Sequence, residues 1–226
     1  MIKTDPVRVI SILLTLLTVA VIGLLLAWAL MALPEEAVGL SLIVSDRIPE
    51  SGVNAEVTAI LLNFRSYDTL LEIVVLLVAL LGAWYLGRMH LYPEHTQLGP
   101  VLEGLVRSLV PVMILVTGYI LWLGSHAAGG AFQAGALLAS AGVLMLVVSR
   151  EKLPLRDGIR LRTLLVAGPV VFTLVAVSLV MLGKPMLQYP QQYAGSLILL
   201  IEAASTVTIG ITLTLLFAGG RPHRGD

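Results

Sequence analysis

Residues 54–84 read NAEVTAILLNFRSYDTLLEIVVLLVALLGAW. From Thr69 onward the run is apolar, and after Glu72 no charge follows until Arg88. About 20 such residues make a helix long enough to cross the roughly 30 Å hydrocarbon layer of a bilayer. Lipid offers no partner to an open sheet edge, so the segment is a helix. Its mouth carries Glu56, Arg65, Asp68 and Glu72, where burial in lipid penalises charge. This stretch settles the class, an all-α integral membrane protein, and marks a first place to look for function.

Working outward, five more apolar segments are long enough to cross, giving spans over about 9–33, 69–88, 106–123, 131–149, 163–183 and 194–217. Lys3 and Arg8 precede the first, but that run is about twice a secretory h-region, so it is expected to be a retained helix. Prolines 34, 49, 93, 100, 154, 185 and 190 fall in the connections, while Pro111 and Pro169 fall in the first turns of their spans. The segment 52–64 is apolar but short and stops at Arg65. It is expected to be an interfacial or re-entrant helix, or else an ordinary amphipathic loop helix.

With six spans both termini share one side. That side collects 11 of the 14 Lys and Arg residues, leaving Arg47, Arg65 and Lys184 on the other. The bias predicts cytoplasmic termini and a multi-pass protein of the cell's inner (plasma) membrane. Trp28, Tyr67, Trp122, Tyr189 and Tyr193 are expected to mark the outer interface, and Trp84 and Tyr85 the inner one. The stretch MHLYPEHTQLGP, 89–100, reads as a linker. It divides a two-span module, 1–92, from a four-span module, 93–226.

Composition agrees. The chain is 226 residues long, 58% hydrophobic and 12% charged, with mean hydropathy +0.96. A soluble domain carries about twice that share of charge. There is no cysteine, which excludes disulfides, Fe–S clusters and thiolate metal sites within this chain. No cofactor or metal is expected. The sparse, scattered basic residues exclude a nucleic-acid partner.

Against this apolar background the polar residues stand out. Asp68 and Glu72 share a helix face, and Arg65 is three residues before Asp68. A helix start favours acidic residues through its dipole, which explains Asp68. Glu72 lies a full turn deeper, where a carboxylate could bind and release a proton or a cation. Glu202, in SLILLIEAASTVTIGITLTLLF, falls about 12 Å below the outer end of its span. Ser205, Thr206 and Gly210 continue its face. One carboxylate on a hydroxyl-lined face suits a hydrated proton or sodium path; the alternative is a carboxylate that only glues subunits together.

The loop GSHAAGGAFQAG, 124–135, contributes His126, Gly129 and Gly130, and its small residues continue through Ala131, Ala134, Gly135, Ala139 and Gly142. That spacing permits close helix packing. His126 is either a proton-relay group or a polar loop residue. Glu103 and Arg107 are expected to form a surface ion pair, and the basic stretch 150–162 to set topology or dock a partner or anionic lipid.

The run NAEVTAILLNFRSYDTLLEI resembles the end of the large subunit of Mrp-type multisubunit Na⁺/H⁺ antiporters, an element that is a separate small subunit in membrane-bound hydrogenases. Asn54, Ala59, Ile60, Leu61, Phe64, Arg65, Asp68, Thr69 and Glu72 match the family pattern. Asn63 stands where the family usually has Asp. From about residue 95 the chain resembles the MnhB/MrpB subunit, through HAAGGAFQAG and IEAASTVTIGITL, with Ala128 in place of the usual Pro.

The resemblance implies an accessory subunit of a monovalent cation/proton antiporter, not itself an enzyme and with no catalytic residues. It lacks the Lys-bearing broken helices of the large antiporter subunits. The implied partners are other membrane subunits, H⁺ and Na⁺ or another monovalent cation, and the lipid bilayer. Glu72, Glu202, Asp68 and Thr206 are the expected ion-path residues, and Arg65, Asn54 and Thr69 the structural ones. The alternatives are a membrane-arm subunit of an ion-pumping redox complex and a scaffold without ion contact.

Overall fold

The computed structural model describes residues 6–32, 41–86, 99–148, 158–184 and 187–219. They fall in two compact units, one ending at Leu42 and the other beginning at Ile43. Every regular element among the described residues is helical: α1 (Pro6–Met31), α2 (Ser41–Ser51), α3 (Glu56–Ala59) running into a π-helical turn (Ile60–Phe64), α4 (Ser66–Tyr85), α5 (Pro100–Leu123), α6 (Ala131–Val148), α7 (Ile159–Met181) and α8 (Ala194–Ala218). Six of these, α1 and α4 to α8, are long and apolar enough to cross a membrane.

The first unit contains α1, which is hydrophobic all round and carries no charge from Val9 to Met31. Such a helix suits lipid or a fully apolar environment.

In the second unit α8 is the central helix, packed by α6, α7, α4 and, less extensively, α5, while α5 packs mainly on α6. Small residues explain the closest approach. Ala131, Ala134, Gly135, Ala139 and Gly142 of α6 are all buried, as the sequence spacing predicts. A Cβ on Gly135 would come 2.7 Å from Ile209 Cγ2, and one on Gly210 2.8 Å from Leu138 Cδ2, so the two helices mesh reciprocally. Between α7 and α8 the hydroxyl of Thr208 accepts from Gly168 N–H at 2.8 Å and donates to Leu164 C=O at 3.0 Å. Leucine clusters fill the rest: Leu80, Leu161, Leu165 and Leu215 join α4, α7 and α8.

Several helices start earlier than the apolar runs suggest. α4 begins at Ser66, α5 at Pro100 and α7 at Ile159. Proline is favoured in a first helical turn, where its missing N–H has no intrahelical partner to lose, so Pro100 opens α5 rather than lying in the connection. Pro111 and Pro169 consequently fall in helix interiors, and Pro49 lies inside α2. Glu103 and Arg107 are exposed one turn apart but form no ion pair, as water solvates each as well as a partner does. Prolines 34, 93, 154 and 185, most of the linker 89–100, the basic stretch up to residue 157 and the span ends at 33 and 149 lie outside the described residues.

Segment 52–64 is not an isolated surface helix. Val53, Ala59 and Leu62 are buried with Phe172, Leu187, Tyr189, Ala194 and Ile198 in one cluster. The π-helical turn forms where Arg65 N–H reaches back to Ile60 C=O at 2.7 Å, and Thr69 Oγ1 donates to Leu61 C=O at 2.6 Å. Of the expected interface aromatics, Trp28, Tyr67, Trp122, Tyr193 and Tyr85 are exposed. Tyr189 is not: its ring completes the cluster just described, and burial without a partner pushes its phenol pKa up. Trp84 is also drawn inward, against the leucine cluster.

Candidate functional site

The double glycine of the 124–130 loop brings a helix start onto a buried carboxylate. Gly124 N–H and Gly130 N–H both donate to Ile120 C=O, each at 3.2 Å, so the loop folds back on the end of α5. Side chains cannot be accommodated there: a Cβ on Gly129 would lie 2.5 Å from Ile120 O. Gly130 adopts φ +105°, which an L side chain resists, and a Cβ on it would meet Glu202 Oε1 at 2.7 Å. The chain then enters α6 at Ala131, so the start of α6 lies beside the Glu202 carboxylate. A helix N-terminus, with its free amides and positive dipole end, is a natural neighbour for a carboxyl group.

Glu202 itself is only 3% exposed, and its Oε2 is buried with no hydrogen-bond partner in the protein. Two further hydroxyls on α8, Ser205 Oγ and Thr212 Oγ1, are in the same condition. At about 1.5 Å per residue these oxygens extend roughly 15 Å along the helix. Such groups cost free energy unless water or an ion meets them. Thr206 is buried beside them but is satisfied within the protein, donating to Glu202 C=O at 2.8 Å.

The other expected residues occupy different surroundings. Glu72 is exposed on α4 and makes no ion pair among the described residues, although its neighbour Ile73 is fully buried with Ala131 and Ile209. The structure therefore sets Glu202 inside the second unit and Glu72 on its outside, with no hydrogen bond between them. Asp68 pairs with Arg65 in the first turn of α4, the pair being largely exposed. Thr69 is buried and braces the π-helical turn.

Asn54 is exposed, but its backbone N–H bonds to Ser125 C=O at 3.2 Å, and Thr58 Oγ1 donates to Gly124 C=O. These bonds tie the 54–64 segment to the glycine loop. Asn63, where the family pattern has Asp, reaches Ser51 C=O at 3.4 Å through Nδ2. His126 is exposed, bonded to Ser125 Oγ at 2.8 Å and lying against Trp122 with ring centroids 5.1 Å apart. Sequence reasoning did not single out Ser205 and Thr212 as unpartnered, although their hydroxyls in an apolar span are a signal.

Among the described residues no cluster of His, Cys, Asp and Glu could hold a metal ion.

Comparison with known proteins adds the following. Residues 101–220 match a family described as a domain related to the MnhB subunit of Na⁺/H⁺ antiporter, and residues 7–99 match the MbhE family, described as a subunit of MBH. An uncharacterised protein of Methanocaldococcus jannaschii is 31% identical over 120 residues, 44% of this chain and 45% of that one. The chain thus spans less than half the length of that curated relative. All of this chain superposes on 27% of a chain of the Mrp complex from Dietzia sp. DQ12-45-1b, with a TM-score of 0.65 and 19% identity. A chain of the membrane-bound sulfane sulfur reductase, an archaeal respiratory membrane complex, matches 93% of this chain over 97% of its own length, with a TM-score of 0.66 and 23% identity. At these identities the two structures share the fold.

Proposed function

We propose, from the premise that the chain belongs to the family of the domain related to the MnhB subunit of Na⁺/H⁺ antiporter, that it is an accessory membrane subunit of a multisubunit monovalent cation/proton antiporter. In this reading it contributes to an ion path and to assembly, and performs no catalysis of its own. Its two modules, 1–92 and 93–226, work in one polypeptide, with both termini on the cytoplasmic side of the cell's plasma membrane. The charge bias of the loops supports that orientation.

One observation carries the ion-path part: the buried, unpartnered oxygens of Glu202, Ser205 and Thr212 along the central helix. A buried oxygen without a protein partner is a group that water or a cation can occupy. Glu202 is the residue on this line able to exchange a proton or hold a monovalent cation. Glu72 and Asp68 contribute, in this reading, at the surface of the unit, so a route involving them runs against a neighbouring subunit.

The second reading is a membrane-arm subunit of an ion-pumping redox complex. The likeness to nearly the whole of one chain of the sulfane sulfur reductase supports it. In both readings the driving reaction belongs to other chains and the role of this one is the same.

Glu202→Gln tests the ion path. The amide keeps the size and shape of the side chain while removing the titratable group. We expect the complex to assemble and sodium-dependent proton transport in membrane vesicles to fall by about 10²-fold, the scale of losing a proton-carrying group. Full transport by an assembled Glu202→Gln complex removes Glu202 from the path and leaves a purely structural role.

A further inference from the structure

Asp68, Glu72, Val75, Ala79 and Gly82 are spaced four, three, four and three residues apart, which sets them in one stripe of α4. The stripe lies about a third of a turn round from Thr69, Ile73 and Leu80, the buried residues of this helix. No described residue of the second unit covers it: Glu72, Val75, Ala79 and Gly82 are all exposed. Glu72 sits about 9 Å along the helix from Ser66, at about 1.5 Å per residue. Long basic side chains can reach back to the interface from such a depth, whereas a glutamate is short.

Asp68 already has Arg65. Glu72 has no ionic partner among the described residues. A charged side chain within a span pairs with another group or faces a hydrated cavity rather than lipid. Of the groups that satisfy a carboxylate, a cation both cancels its charge and donates hydrogen bonds to it. Along the helix from Glu72 the stripe is smooth. A Cβ added to Gly82 would meet nothing within 4 Å, and with Ala79 it leaves room for another backbone to come close.

We propose that this stripe docks a transmembrane helix of another membrane subunit, and that this helix presents a basic side chain (Lys, Arg or protonated His) to Glu72. The inference rests on the reading of the chain as one subunit of a larger membrane complex. It adds where a partner binds and what chemistry that partner carries.

A photo-crosslinking residue placed at Val75, which is 64% exposed, tests it in the intact complex within native membranes, with the adduct mapped by mass spectrometry. The expected adduct lies on a transmembrane segment of a different subunit, within one helical turn of a Lys, Arg or His. Glu72→Lys is expected to lower recovery of that subunit by about tenfold or more, and converting the mapped basic residue to Glu to restore it. Adducts confined to lipid or to this chain, or a segment with no basic residue within a turn, overturn the proposal. A complex that stays intact while Val75 meets only lipid defeats the interface alone. A chain that migrates without any other subunit defeats the subunit reading as well.

Discussion

Gly130→Ala is the substitution on which the structure makes its sharpest demand. Two independent costs meet there. The first is backbone strain: φ is +105°, and for a non-glycine residue a left-handed conformation costs about 1–2 kcal/mol. The second is the contact with Glu202, whose Oε1 lies 2.7 Å from the position the new Cβ takes. The side chain must move, and it is not free to do so, because Glu202 is buried among packed helices. Forcing an extra methyl group into a packed site costs about 1–3 kcal/mol. Together the two make about 2–5 kcal/mol, a fall of roughly 10 °C in the unfolding midpoint for a chain of this size.

The assay is thermal unfolding of the detergent-solubilised protein, followed by loss of the monodisperse peak on size exclusion. The decisive version is a double-mutant cycle with Glu202→Ala. With the carboxylate gone, only the backbone term remains, so Gly130→Ala costs about 1–2 kcal/mol in that background. The difference, about 1–3 kcal/mol, is the coupling between the loop and the carboxylate. Equal costs in both backgrounds refute the contact between Gly130 and Glu202. A negligible cost of Gly130→Ala alone refutes the strained loop.

Two other substitutions check the packing. Thr208→Val removes the hydroxyl that serves both Gly168 N–H and Leu164 C=O. It is expected to lower stability by about 0.5–2 kcal/mol, while Thr208→Ser keeps most of it; equal loss in both variants, measured by the same unfolding assay, counts against the bridge. Tyr189→Phe removes a buried hydroxyl that has no partner, so stability at neutral pH is expected to hold or rise by about 1 kcal/mol. The pH dependence has a definite sign. Burial raises the phenol pKa in the folded state, so the folded form keeps its proton above the unfolded value of about 10 while the unfolded form loses it. Stability therefore declines as pH rises past that point, and Tyr189→Phe flattens the decline in alkaline unfolding scans.

Much of the fold is legible in the chain. The stretch from Thr69 announces a span by length alone, and the Ala131–Gly142 spacing announces a close helix contact that the structure forms between α6 and α8. The helix starts are less legible. Pro100 and Pro49 read as breaks, yet both lie within helices, because a proline near a helix end or in a short helix leaves few hydrogen bonds unmade. The π-helical turn at Ile60–Phe64 leaves no mark in composition, since the bonds that define it depend on Thr69 and on packing below it. Tyr189 looks like an interface anchor and is instead a core residue, because the loop that carries it folds over Phe172 and Ile198.

The candidate site divides in the same way. Glu72 and Glu202 are both conspicuous in sequence, each a carboxylate set in an apolar run. Which of them is enclosed was decided only by tertiary structure: Glu202 points into the bundle at the start of α6, and Glu72 points out of it. The physical reason lies in the solvent. A span is apolar on every face, since lipid is as apolar as a protein core, so the sequence has no polar side to mark the outside. The number and length of the spans follow from bilayer thickness and can be read along the chain. The inward or outward direction of a single carboxylate depends on which helix lies beside it, and that relation exists only once α4, α6 and α8 have packed.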